Sequence, residues 1–273
     1  MPKPVDELRA FLETHPRLFV LTGAGISTGS GIPDYRDENG DWKRPAPVQF
    51  RDFISRPQTR QRYWARSLVG WPWFQRARPN ACHRTLADWE LAGRITQLVT
   101  QNVDRLHQDA GSRQVIDLHG RLDRIICLEC GAGSDRNAMQ EELRARNPEF
   151  AALTAAIAPD GDAYLENTDF EGFLVPDCPQ CGGILKPDVV FFGETIPRER
   201  VERSVSALLD SDALLVIGSS LMVYSGFRFC RLANEHGIPI AAINPGRTRA
   251  DDLIGLKLEE PFEKVIPALA ALG

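Results

Sequence analysis

Short apolar runs that end in glycine or small polar residues punctuate this chain. Leu18-Phe19-Val20-Leu21 is unbroken, rich in β-formers and followed by Gly23, the pattern of a strand buried on both faces. Ile95 to Thr100, Val115 to Leu118, Ala213 to Ile217 and Pro239 to Ile243 read as further strands. Helical spacing fills the intervals. Val5 to Thr14 sets Leu8, Phe11 and Leu12 on one face before Pro16, and Phe50 to Leu68 reads as one amphipathic helix. Asn80 to Leu91 turns Leu86 and Trp89 inward and stops at Gly93. Met139 to Phe150 is also expected to be helical, and Leu256 to Leu272 to end as a helix.

Composition narrows the class. With 273 residues, 43% hydrophobic and 25% charged, the chain can bury one good core with a smaller unit appended. The start, MPKPVDELRAFLETHP, carries no secretory or transit pattern, and no segment approaches the ~20 apolar residues of a membrane span, so a cytosolic protein without a membrane partner is expected. A formal charge of -5 argues against a general nucleic-acid binder. Residues 37 to 84 differ from the rest, with ten basic side chains against four acidic and four of the five tryptophans, and predict a separate helical lobe. Basic residues interleaved with aromatics can bind single strands, but the spacing favours a solvated basic helix face.

Candidate chemistry gathers where strands end. Gly23 and Gly25 allow a tight turn and close approach to a pyrophosphate, with the amides of a following helix facing the charge. Gly29 falls one residue later than the dinucleotide fingerprint asks, and no acid is placed for a ribose, so a bare strand-to-helix turn is the alternative. Gln101-Asn102-Val103-Asp104 follows the second strand, where doubly wound sheets bind ligands, although Asn102 could instead cap a helix over Val103 to Ala110. His119-Gly120 follows the third; an unperturbed histidine pKa near ~6.5 suits a general base. Gly218-Ser219-Ser220 and Asn244-Pro245-Gly246 are small, polar ends fit to approach a ribose or an adenine. Ile184 to Glu194 is β-rich, interrupted by Pro187, and suits an exposed edge to which an extended peptide adds. Tyr63 and Arg66, three apart, share a helix face and could hold a carboxylate.

The cysteines carry the most specific local signal. Cys127-x-x-Cys130 and Cys178-x-x-Cys181 are two knuckles, each followed by glycine. Paired disulfides are the alternative in an oxidising compartment. Four thiolates close a tetrahedral zinc and leave no open position, so the ion is expected to be structural and a zinc-hydrolase mechanism is disfavoured. Cys82 and Cys230 stand alone and read as small buried residues. Forty-seven residues separate the knuckles, far more than a compact ribbon needs, and Gly131 to Asp177 holds ten acids against three arginines. Long insertions of this kind tend to be functional or disordered.

GAGISTGSGIPDYR and TQNVDRLH closely resemble the two signatures of the sirtuins, the NAD-dependent protein deacylases, and His119-Gly120 falls where that family has its catalytic histidine. The insertion, with GIPDYR and RQRYWARSLVGW, resembles class II sirtuins, the group of the mitochondrial lipoamidase and ADP-ribosyltransferase type. The resemblance covers nearly the whole chain. It implies an α/β fold, a doubly wound parallel sheet (Rossmann-like) formed by 1–36, 85–120 and 185–273, with a smaller domain made of a helical module, 37–84, and a zinc-ribbon module, 121–184. Substrates would meet in the cleft between them.

The same resemblance implies the roles of individual residues. NAD would be bound by Gly23, Ala24, Gly25, Ser27, Ile32, Asp34, Tyr35, Arg36, Gln101, Gly218, Ser219, Ser220, Asn244, Pro245, Gly246 and the backbone of Phe262. Asn102 and Asp104 would position nicotinamide and water, and His119 would deprotonate a ribose hydroxyl. The acyl-lysine peptide would lie between Val190-Phe191-Phe192-Gly193-Glu194 and Met222-Val223-Tyr224, with Ser225 standing where many deacetylases have proline. Some relatives that remove acidic acyl groups have a pair like Tyr63 and Arg66 in the acyl pocket. The expected products are nicotinamide, free lysine and O-acyl-ADP-ribose, formed by a monomer. Mono-ADP-ribosylation of protein at the same NAD site is the alternative. A hydride-transferring dehydrogenase and a zinc-ribbon binding module are the readings from other classes. The insertion is expected either to reach toward the acyl site or to cover the zinc module.

Overall fold

The computed structural model describes residues 4–43, 47–156, 158, 160–165 and 168–269. In chain order the elements are α1 (Pro4–Thr14), β1 (Leu18–Thr22), α2 (Phe50–Ser55), α3 (Pro57–Phe74), α4 (Ala81–Leu91), β2 (Ile95–Thr100), α5 (Leu106–Asp109), β3 (Val115–Asp117) and β4 (Gly120–Cys127). Then follow β5 (Gly133–Asp135), α6 (Arg136–Arg146), α7 (Pro148–Ala151), β6 (Leu185–Val189), α8 (Arg198–Leu209), β7 (Ala213–Ile217), α9 (Tyr224–Glu235), β8 (Ile240–Ile243), β9 (Leu256–Leu258) and α10 (Phe262–Ala268). They form two compact units, one of 1–44, 78–118 and 197–273, the other of 45–77 and 119–196.

The first unit holds a six-stranded sheet in the order β3-β2-β1-β7-β8-β9, parallel throughout. Every residue of β1, β7 and β8 is buried, which is why these strands read as unbroken apolar runs rather than alternating ones. The strand order reverses between β1 and β7, the place where doubly wound sheets receive ligands. On one side of the sheet Leu8, Leu12, Leu86, Trp89, Phe262 and Ile266 pack in one core with Leu18, Val20, Leu98 and Leu215.

The second unit is built on a three-stranded antiparallel sheet, β5-β4-β6. Its core joins Phe53, Tyr63, Trp64 and Leu68 to Ile125, Met139, Leu143, Phe173 and Phe191. Strand β6 lies at the edge, where Pro187 is tolerated, yet Leu185, Lys186 and Pro187 are buried, so the exposed edge expected of Ile184 to Glu194 is narrower than the sequence implied.

Several boundaries differ from the sequence expectation, each for a physical reason. The single helix over Phe50 to Leu68 is two, broken at Arg56, which Pro57 forces into an extended conformation (ψ 111). Met139 to Phe150 is likewise split at Asn147, ahead of Pro148, and α6 begins earlier, where the Asp135 side chain accepts from the Asn137 amide. Leu256 to Leu258 is a strand paired with β8 before α10 begins; residues 270–272 of the expected terminal helix lie outside the described residues. After Gly23 the chain enters a 3-10 helix, Ala24–Ser30, not an α-helix.

Candidate functional site

At the reversal point the loops after β1 and β7 are pressed together. A Cβ on Gly23 would lie 2.7 Å from the Ser219 Cβ, and one on Gly25 would lie 2.8 Å from the Gly218 Cα. Gly218 itself is left-handed (φ +60), and its carbonyl accepts from the Gly25 amide at 2.8 Å. The glycines therefore serve loop-to-loop contact first, leaving a floor of glycine and small polar residues at the strand ends. Gln101 ties the three central strands. Its amide donates to the Thr22 carbonyl at 2.9 Å, and its Nε2 donates to Ser219 Oγ at 2.7 Å.

Over this floor stands a small polar cluster. Asn102 Nδ2 donates to the Gly23 carbonyl (3.1 Å) and to Ser27 Oγ (3.0 Å), so both its hydrogens are used and its Oδ1 is left as an acceptor. Ser27 Oγ in turn donates to Asp104 Oδ2 at 2.6 Å, while Asp104 Oδ1 accepts from the Leu106 amide. Burial pushes the Asp104 carboxyl up from its usual range, against the pull of those two hydrogen bonds. Asn102 is thus no helix cap; α5 is only Leu106–Asp109, and the Asp104 side chain serves its first amide.

Around the cluster, Ile32 is buried, Asp34 pairs with Lys43, and the Tyr35 ring meets Trp42 edge-on at 6.1 Å. Arg36 lies 3.9 Å over the Trp42 ring and donates to the Gly40 carbonyl, a self-contained turn on the loop that follows the 3-10 helix. Burial, partly offset by Asp41, lowers its pKa. At the end of β8, Asn244 is buried and its Nδ2 donates to the Gly246 carbonyl at 2.8 Å. Phe262 is buried at the start of α10, with its carbonyl facing the Cys82 thiol. Met222 and Val223 lead into α9, whose first residue, Tyr224, is exposed.

In the second unit His119 stands immediately before β4. Its carbonyl accepts from the Val190 amide at 2.8 Å, fixing it beside the 190–194 segment. Gly120 must be glycine, since it is left-handed (φ +83) and a Cβ there would meet the Asp188 carbonyl oxygen at 2.0 Å. Past Val190, Phe191 packs against Tyr63 and Phe53, the Phe192 carbonyl accepts from the Phe50 amide, and Gly193 turns the chain (φ +79). Glu194 closes the turn by accepting from the Phe191 amide at 2.8 Å and from buried Lys186 at 3.2 Å. Arg66 points into the insertion. Its Nε donates to the Ala163 carbonyl at 2.9 Å and lies 3.9 Å from Asp162.

The four knuckle cysteines are free thiols, and their sulfurs all lie within 4.8 Å of one another. Cys127 and Cys181 are 3.5 Å apart, Cys130 and Cys178 3.7 Å; a tetrahedron of ~2.3 Å zinc–sulfur bonds has edges of about 3.8 Å. The two knuckles are built alike. Each closes by an amide of left-handed glycine donating to its first cysteine's carbonyl, Gly131 to Cys127 and Gly182 to Cys178. Donor type, number and spacing fit one closed structural zinc.

The model of the Sir2 family matches residues 23–225. The chain belongs to the Sir2 family. A bacterial relative, the NAD-dependent protein deacetylase of Xanthomonas campestris pv. campestris (strain 8004), is 62% identical over 262 residues, covering 96% of this chain and 89% of its own. The human mitochondrial NAD-dependent protein lipoamidase sirtuin-4 is 48% identical over 271 residues, 98% of this chain and 86% of its own. Among solved structures, a Sir2 with p53 peptide and NAD+ matches with a TM-score of 0.76 at 29% identity, covering 98% of both chains. The fold is accordingly that of a sirtuin, with a class II relative close in sequence, a Rossmann-like sheet and a cysteine cluster of zinc type.

One layer of this sirtuin's site escaped sequence reading. Beneath Gly23 and Asn102, Thr22 Oγ1 donates to Thr100 Oγ1 at 2.9 Å, and the Asn102 amide donates to that same Thr100 oxygen at 3.1 Å. His107 Nε2 meets Thr22 Oγ1 at 2.9 Å, and the His107 ring lies 4.8 Å from the ring of His83. Burial holds His83 down to about 4, aided by Arg84, and drives His107 well below its ordinary value, so both are neutral. In sequence Thr22 is only a β-former and His83 lies outside the signatures, while Thr100 and His107, the first and last residues of TQNVDRLH, carry no assigned role there. Only the pairing of β1 with β2, which sets Thr22 opposite Thr100, brings the layer together.

Proposed function

We propose that this protein is an NAD-dependent protein-lysine deacylase, releasing nicotinamide and free lysine and forming O-acyl-ADP-ribose. The observation that carries the reading is the Asn102–Ser27–Asp104 cluster at the strand-order reversal, where a floor of glycine and serine would accept a dinucleotide and the Asn102 Oδ1 would offer an acceptor to a carboxamide. Bound NAD would supply the ribose carbon that exchanges its bond to nicotinamide for one to the acyl oxygen, and one water would be consumed as the lysine is released. The chain's own part is placement. Asn102 and Asp104 orient, His119 takes a ribose hydroxyl proton, and Gly23, Ala24, Gly25, Ser219 and Asn244 hold phosphate and ribose. Val190 to Glu194 and Met222 to Tyr224 bind the peptide backbone, as extended segments do. Holding reactants in line supplies much of the acceleration.

Arg66 already donates to the Ala163 carbonyl and sits beside Asp162, and Tyr63 is packed among Phe53, Trp64 and Phe191, so we take neutral acyl groups as the preferred substrates. Among the described residues no helix is long and apolar enough to cross a membrane. We take the protein to be a cytosolic monomer acting on protein substrates.

The test is mass spectrometry of products after incubation with NAD and lysine peptides bearing acetyl, longer aliphatic, acidic and lipoyl groups. Deacylated peptide with O-acyl-ADP-ribose is expected, with acidic groups last. Nicotinamide release with ADP-ribose added to protein and no deacylation would replace the reading by mono-ADP-ribosylation.

A further inference from the structure

Three arginines converge on one exposed aromatic ring in the first unit, at the segment assigned above to peptide binding. The Arg228 guanidinium carbon lies 5.3 Å from the Tyr224 ring centre, and that of Arg249 lies 5.9 Å from it and 4.5 Å from the Phe227 ring centre. Arg231 Nη1 donates to the Tyr224 hydroxyl at 3.4 Å. Arg249 Nη1 donates to the Met222 carbonyl at 3.2 Å, anchoring the cluster to the backbone of Met222-Val223-Tyr224.

The charge of this cluster is mostly unanswered. Arg231 pairs with Glu235, but among the described residues no carboxylate lies within 4.0 Å of Arg228 or Arg249, and the buried Arg228 Nε has no hydrogen-bond partner. Nearby Asp251 is committed to Thr248 and Lys257. Guanidinium groups held by their faces against aromatic rings keep their N–H edges for a second partner, and the edge geometry matches a carboxylate. In a chain whose net charge is -5, such a cluster is a local reversal of sign.

The geometry points to Arg228 and Arg249 as the specificity element for acidic side chains flanking the acyl-lysine of the substrate. This rests on the reading that Met222 to Tyr224 borders the peptide. Stacking on Tyr224 and Phe227 fixes the guanidinium planes before the peptide arrives, so little ordering is needed on binding. Because the groups are exposed or half-buried, the preference is moderate and screened by salt.

The experiment compares acetyl-lysine peptides of equal length, one flanked by Asp and Glu and the other by Asn and Gln, with a Lys-flanked peptide added for the charge-reversal variant. It measures kcat/KM with NAD at low and high salt, and the affinity of the same peptides by fluorescence anisotropy. The wild type is expected to favour the acidic peptide by about fivefold to tenfold at low salt, mostly in KM, and less at high salt. Arg228→Gln should bring the ratio toward one. Arg228→Glu should reverse it in favour of a Lys-flanked peptide, a gain that misfolding cannot mimic. Equal affinity for both peptides in the wild type, or an acidic preference that survives Arg228→Glu, overturns the inference. Acid-dependent binding without turnover of either peptide would uphold the surface while removing the deacylase reading.

Discussion

Ser27 is the hinge of the site's chemistry at the residue scale, because one hydroxyl both accepts from Asn102 and donates to a buried carboxyl. Ser27→Ala leaves Asp104 with only the Leu106 amide and frees Asn102 to turn. Loss of a hydrogen bond to a charged group costs about 1.5–3 kcal/mol, so kcat/KM for NAD should fall by about tenfold to a hundredfold in a nicotinamide-release assay. Unchanged kinetics would remove the cluster from the reaction. His119→Ala should by contrast keep NAD affinity, measured by calorimetry, and abolish turnover. Below these residues, the neutral His83–His107 pair sets an acid limit to stability. His83 is held near 4 when folded and returns to ~6.5 when unfolded, so the unfolded chain binds the proton first and stability drains as pH falls from about 6.5 toward 4. On the order of 2 kcal/mol should be gone by pH 5 in urea melts, with His83→Asn giving a flatter profile; an equally steep one would move the effect to other groups. Asp104, whose pKa is raised, works in the opposite direction.

At the scale of elements, what was legible in the sequence was whatever is local. Continuous apolar runs marked β1, β7 and β8, and two spaced cysteine pairs marked the four-cysteine cluster. What was lost depends on partners distant in sequence. The polar layer of Thr22, Thr100 and His107 exists only because β1 lies beside β2, and β4 alternates weakly because Gly120 and Arg124 interrupt its apolar positions. The splits at Pro57 and Pro148 were readable, since proline excludes the preceding residue from the helix. The insertion is a further case. Residues 160–165 dock on α3: Arg66 and Ala163 exchange hydrogen bonds through Arg66 Nε, the Ala163 amide and their two carbonyls, and a Cβ on Gly70 would meet the Gly161 carbonyl at 2.2 Å. The substitution Gly70→Ala therefore has a diagnostic sign. Helix propensity alone would stabilise by about 1 kcal/mol. Collision with the docked segment should reverse this to a net loss of about 1–3 kcal/mol, read as a lower Tm and faster proteolysis within 160–165. A raised Tm would mean that the segment does not rest on α3.

For the whole molecule, the decisive difference between the two units is what closes their cores. The first unit closes on its sheet: its core joins Leu18, Val20, Leu98 and Ile217 to Trp89 and Val265, and contains none of the four knuckle cysteines. In the second unit Cys127 and Cys178 belong to the core itself, alongside Trp64, Ile125 and Phe173, and their knuckles are 47 residues apart in the chain. Bringing such distant segments together costs loop-closure entropy, and four thiolates within 4.8 Å repel one another unless a cation lies among them. Zinc should therefore be part of this unit's folding free energy, not an accessory to the reaction. Chelation at neutral pH should release one zinc per chain by elemental analysis and lower the melting transition reported by Trp64 and Trp71. The transition associated with Trp89 should move less. Separate Trp64→Phe and Trp89→Phe variants assign the two signals. If chelated protein loses its zinc and melts as before through the Trp64 signal, the cluster is not what closes this core. If both signals shift together, the units unfold as one and the metal's contribution is shared by the whole chain.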